Sequence, residues 1–100
     1  MRLSWLAVIL VAFFGAGCAA PNPIQEYSIA RAAMQAARSE GAPRLAAAFW
    51  LKAEDHYQKG ERYYRQNDFA RAREQFDLAR EFAEKAENAT RLRKAQQGEF

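Results

Sequence analysis

One thiol and one imidazole, Cys18 and His56, are the only cysteine and histidine in this 100-residue chain. With a single cysteine no internal disulfide can form. A metal centre needs several such ligands grouped together, and a cysteine nucleophile needs an adjacent base in a formed pocket. The sequence offers neither. Ser28 and Ser39 fall in a helix-forming stretch, so no Ser-His-Asp set is expected, and the five glycines are too scattered for a phosphate loop. No catalytic, cofactor-binding or metal-ligating residue is expected, and the reading is of a protein that is not an enzyme. The chemistry that suits Cys18 is set by what precedes it. Met1 and Arg2 give a short positive start, residues 3–14 are mostly apolar, and Gly15, Ala16 and Gly17 lead directly to the cysteine. That order predicts export, cleavage before Cys18 and covalent attachment of lipid to its sulfur.

The apolar run is shorter than the roughly 20 residues a spanning helix needs and fits the core of an export signal. It departs from the usual lipoprotein pattern in one place: Gly15 stands where leucine is common. The alternatives are an ordinary secretory signal cut near Ala19 and Ala20, or an uncleaved anchor. A lone thiol would be a liability in an oxidising compartment, and a thioether to lipid removes it. Ala19 follows the cysteine, where lipoproteins held at an inner membrane resemble one another in carrying aspartate. The expectation is therefore a bacterial cell-envelope protein on the outer membrane, facing the periplasm. Residues 1–17 are read as signal, 18–22 as a short tether, and 23–100 as one domain.

Removing residues 1–17 takes away one charged residue, Arg2, so the net charge falls from +3 to +2. The remaining charges are mixed in sign with no lysine or arginine run, which argues against nucleic acid as a partner.

Beyond residue 22 nothing alternates with period two, and alanine, arginine, glutamate and glutamine dominate. All are good helix formers. The spacing predicts an all-α fold of three helices: residues 23–39, 43–66 and 69–97. The first starts with Asn22 as cap and Pro23 at its first position, with Gln25 as capping-box partner, and buries Ile29, Ala30, Ala33, Met34 and Ala37. Gly41 ends it and Pro43 opens the second. In the second, Leu45, Phe49, Ala53, His56, Gly60 and Tyr63 share one face, and Trp50, Tyr57 and Tyr64 form a neighbouring line. Gly60, which costs about 1 kcal/mol against alanine inside a helix, suggests a close approach by the third helix. Asn67 tolerates a left-handed turn and Asp68 is a good N-cap. Phe69, Ala72, Phe76, Ala79, Ala83, Ala86 and Thr90 then make a three-four repeat. The short turn predicts a long antiparallel hairpin of helices two and three, with the N-terminal helix packed on it.

Two resemblances follow from these residues. Ala53, Tyr57, Gly60 and Tyr64, followed by Asp68, Phe69, Ala72, Phe76 and Ala79, resemble a single tetratricopeptide-like helix pair. One copy cannot build the superhelical groove of a stacked array. Over residues 18–95 the chain resembles small bacterial lipoproteins with the alanine-rich helical domain of unknown function family 4398. The resemblance rests on Cys18, on residues 30–38, on the turn Gly41 to Pro43, and on Ala53, Glu54, Tyr57, Gly60 and residues 67–72. It implies an envelope role and no known reaction.

The third helix, at about 1.5 Å per residue, outreaches the second. The excess suggests an interaction surface made of Trp50, Tyr57 and Tyr64 with Ala83, Ala86 and Thr90, used for self-association or for another envelope protein; the alternatives are that the first helix covers the excess or that the end frays. The membrane is reached through the lipid. An alternative is a cell-wall polymer or small-ligand module in which the tyrosines of helix two stack on sugars while Arg71, Arg73 and Arg80 bind acidic groups. His56 reads as a packed or hydrogen-bonded side chain. Asp55 and Lys59 are spaced to pair, and Glu81, Glu84, Lys85 and Glu87 read as a solvated face.

Overall fold

The computed structural model describes residues 20–98. Cys18 and the expected signal lie outside them. Among the described residues the fold is all-α, with four helices where three were expected: α1 Ile24–Glu40, α2 Ala42–Leu45, α3 Ala47–Arg65 and α4 Phe69–Gln97. The expected second helix is broken at Ala46, whose backbone (φ −139°, ψ 49°) is not helical. Alanine is the best helix former, so the break is not a matter of local propensity. It accompanies burial of Ala42, Leu45, Ala46 and Trp50 together. Across the break, Ala46 N–H still bonds to Ala42 carbonyl and Trp50 N–H to Ala46 carbonyl. Within α3 the buried face, marked by Trp50, Ala53 and Gly60, is also rotated from the expected one. Phe49, expected in the core, is exposed, while Trp50 is buried.

The helix ends follow local chemistry. Gly41 adopts φ 98° and closes α1 with backbone bonds to Ala37 and Arg38. Only a residue without a β-carbon does so freely. It also opens α2, with Pro43 in the first turn. Asn67 sits at φ 59°, and Asp68 caps α4 by accepting from the Arg71 amide at 3.3 Å. At the start of α1 the expected cap differs. Pro23 occupies the cap position without a side-chain bond, and Asn22 instead donates to the Tyr64 hydroxyl at 3.2 Å.

The long helix α4 is the spine. Helix α3 lies antiparallel to it, with Gly60 against Phe76 near one end, while Ala53, Ala83 and Ala86 share a cluster toward the other. Helix α1 runs parallel to α4, from the Glu26–Arg73 ion pair at 3.2 Å to Glu40, which pairs with Lys94 at 3.3 Å and Arg91 at 3.7 Å. The core divides into two clusters. One joins Ala37, Ala42, Ala46, Trp50, Ala53, Ala83 and Ala86. The other joins Ala30, Ala72, Phe76 and Ala79, rimmed by Tyr27, Tyr57, Tyr63 and Tyr64. Alanine at the contacts brings backbones close, and the large side chains fill what remains. Full burial of Phe76 contributes roughly 1.5–3 kcal/mol.

Candidate interaction site

Of the residues expected to form an interaction surface, four are inside the monomer. Ala83, Ala86 and Thr90 are fully buried and Trp50 is 5 % exposed. Their burial has a simple cause. Helix α1 and the α2 turn run along the distal half of α4 beside α3, so that Ala37 and Ala42 join Trp50 and Ala53 in enclosing Ala83 and Ala86. Thr90 satisfies its hydroxyl within its own helix, donating to the Ala86 carbonyl at 2.7 Å. Tyr57 and Tyr64 are half-buried. Tyr57 stacks on Tyr27 at 5.9 Å and meets the edge of Phe76 at 5.8 Å. Tyr64 tilts against Tyr27 at 6.4 Å and Phe69 at 5.6 Å. These aromatics do not form a free strip.

Arg71, Arg73 and Arg80 of α4 are engaged with carboxylates, and of these only Arg71 also meets a tyrosine of α3, its guanidinium lying over the Tyr63 ring at 5.8 Å. Arg71 pairs with Asp68 at 3.6 Å, Arg73 with Glu26, and Arg80 with Glu84 at 3.2 Å. His56 shares a 2.7 Å hydrogen bond between its Nδ1 and Gln75 Oε1, and its ring stacks on Phe82 at 5.4 Å. That ring is approached by the ammonium groups of Lys52 and Lys85. The histidine is a packing and hydrogen-bonding residue of the α3–α4 seam. Asp55 and Lys59 pair at 2.9 Å, and this bond holds the Asp55 carboxyl below its usual range. Among the described residues no group of three or more His, Cys, Asp or Glu could hold a metal ion.

The feature that remains open lies between α1 and α3. Both pack on α4 but touch each other sparsely, leaving a furrow with a hollow of about 350 Å³. Trp50, Met34 and Tyr57 line its floor, and its rims carry Arg31, Gln35 and Arg38 on α1 against Glu54, Gln58 and Glu61 on α3. A second hollow of about 250 Å³ continues it toward Ile24, Tyr27, Tyr64 and Arg65 and shares Glu61. The Arg38 guanidinium lies over the Trp50 ring at 5.3 Å and reaches Glu54 only at 3.9 Å. Burial pushes the Tyr57 phenol well above its ordinary value, and neighbouring Tyr27 and Glu61 push it further in the same direction.

The sequence reading missed this furrow, although a signal was present. Positions 31, 35 and 38 read Arg, Gln, Arg, and positions 54, 58 and 61 read Glu, Gln, Glu at the same four-three spacing. Each set lies along one helix face.

The architecture defines a slender all-helical protein built around alanine contacts. The family described as Domain of unknown function (DUF4398) matches residues 25–99, and the chain belongs to that family. No curated protein and no solved structure matches it.

Proposed function

We propose that this chain is a non-enzymatic lipoprotein of the bacterial cell envelope, held at the outer membrane by lipid on Cys18, whose helical domain serves as a protein-interaction module. The observation that carries the reading is the open furrow between α1 and α3, with charged rims over a partly apolar floor. An exposed rim of long polar side chains around aromatic and thioether surface suits a protein partner, since such side chains adapt to an opposing surface. The export pattern ending at Cys18 supports the anchoring half. Asn22 is bonded to Tyr64 beside the α3–α4 turn, so on this reading the tether leaves at that end of the domain.

The anchoring half is tested by mass spectrometry of the protein purified from membranes. The expected mature chain begins at Cys18 and carries acyl chains, and Cys18→Ser accumulates as unprocessed precursor. An unmodified soluble chain beginning elsewhere would be decisive against it. The interaction half is tested by crosslinking in intact cells followed by purification. Specific crosslinks that depend on the α1 and α3 rims are expected.

A further inference from the structure

We propose that the occupant of the α1–α3 furrow is the same furrow of a second copy of this chain, the two related by a two-fold axis parallel to the helices. The inference rests on the interaction-module reading and names its partner.

Charge divides the two rims. The α1 rim carries Arg31 and Arg38 with Gln35 between them, and the α3 rim carries Glu54 and Glu61 with Gln58 between them. Because α1 and α3 run antiparallel, Arg38 stands across the furrow from Glu54 and Arg31 from Glu61. The furrow keeps the rows apart within one copy. Arg38 approaches Glu54 only at 3.9 Å with its side chain largely exposed, and no ion pair within 4 Å joins Arg31 or Glu61 to any group among the described residues. The rows are matched in length and opposite in sign, yet they meet only in that one long contact between Arg38 and Glu54.

A two-fold axis along the furrow places α1 of one copy over α3 of the other, in both directions at once. Arginines then face glutamates across the new contact, and Gln35 faces Gln58, whose amides can bond to each other. The four helices alternate in charge around a square, with like rows on the diagonals. A two-fold axis across the furrow would instead set arginine row on arginine row, which like-charge repulsion disfavours. A closed two-fold contact is also the commonest form of self-association.

Geometry at the N-terminus favours the same axis. A rotation about the long axis leaves both copies pointing the same way, so both Asn22 ends emerge on one side. Two chains anchored to one membrane by tethers of a few residues can pair only in this orientation. Anchoring also raises their effective concentration, which suits a modest interface. Ile24 and Leu51, exposed at 56 % and 61 %, lie seven residues from Arg31 and Gln58 and so on the same helix faces. The pairing covers part of each.

The test co-produces two differently tagged full-length copies in the same cells and measures how much of one copurifies with the other. Wild-type copies are expected to copurify. R31E/R38E paired with itself, and E54R/E61R paired with itself, should each fall about tenfold or more. R31E/R38E paired with E54R/E61R should recover, because every contact is again opposite in sign. Helix content by circular dichroism verifies that each variant is folded. A Gln35→Cys copy should form a disulfide with a Gln58→Cys copy and not with another Gln35→Cys copy. Equal copurification in all pairings overturns the proposal, as does a Gln35 to Gln35 disulfide. Capture of a different protein or of glycan fragments through the rims, without copy-to-copy pairing, also overturns it while leaving the interaction module standing. Pairing that follows the charge pattern in a protein found unlipidated upholds this inference and defeats the anchoring reading.

Discussion

Phe76 lays its ring against the bare backbone of Gly60, so closely that a β-carbon at Gly60 would stand 2.7 Å from two of the ring carbons. Phe76 is fully buried and cannot swing away. Gly60 is thus retained in mid-helix, at about 1 kcal/mol of helix propensity, because α4 occupies the space a side chain would take. Gly60→Leu should destabilise the domain by about 1–3 kcal/mol, and Phe76→Ala by about 3–5 kcal/mol. The two changes should be non-additive, since the leucine can occupy room vacated by the ring. Urea titration followed by circular dichroism measures all three. A gain in stability from Gly60→Leu alone would show that the contact is not tight.

Tyr57 gives a pH dependence with a definite sign. Its folded-state pKa is raised above the ordinary value of 10.0 by burial, with Tyr27 and Glu61 adding to the shift. The stability linked to this phenol is fully present below pH 10 and is lost as the pH rises above it toward the folded-state value. Wild type should therefore lose more stability than Tyr57→Phe between pH 9 and pH 11, on the order of the window set by the tyrosine reference pKa. Parallel thermal melts of the two proteins across that window decide the matter. Equal slopes would mean that Tyr57 ionises as freely folded as unfolded.

Glu40, at the last turn of α1, holds Lys94 and Arg91 near the end of α4. These contacts are partly exposed, so Glu40→Ala should cost no more than about 1 kcal/mol. The effect should nonetheless be local. Amide hydrogen exchange in α4 after Thr90 should accelerate, while amides near Phe76 stay unchanged. Uniform acceleration along α4 would point to a global effect instead.

Asp68 caps α4 through the Arg71 amide. Asp68→Ala should cost about 0.5–2 kcal/mol and Asp68→Asn much less. Chemical denaturation of both variants separates loss of the cap from loss of the charge that also pairs with Arg71.

Much of this fold was legible because helix ends are local chemistry. Gly41, Asn67 and Asp68 adopt the roles their side chains predict, and α4 has the bounds its three-four repeat indicates. Ala46 was not legible. Nothing about an alanine between two alanine-rich segments announces a break, and only the fit of Leu45 and Trp50 against the rest of the molecule produces it. Phe49 and Trp50 lie in the same unbroken helix as Ala53 and Gly60, so their exchange of places is a separate rotation of the buried face of α3, since successive helix positions differ by about 100°. The surface expected at Ala83, Ala86 and Thr90 came from comparing two helix lengths; of the readings open to the sequence, cover by the N-terminal helix is the one that Ala37 fulfils. The furrow could have been seen in the matched Arg-Gln-Arg and Glu-Gln-Glu rows. What hid it is that each row, taken alone, looks like an ordinary wet face.

The alanine contacts have a consequence for how such a sequence can drift. Ala30, Ala37, Ala42, Ala53, Ala72, Ala79, Ala83 and Ala86 are all completely enclosed. At each, a larger side chain has nowhere to go and glycine weakens the helix. The permitted vocabulary there is almost a single letter, while rim positions such as Arg31 or Gln58 carry no such restriction. Descendants of one ancestral chain would therefore stay recognisable by their spacing of small residues long after their surfaces had diverged. Membership in such a family transmits a shape, and leaves each member free to choose what it touches.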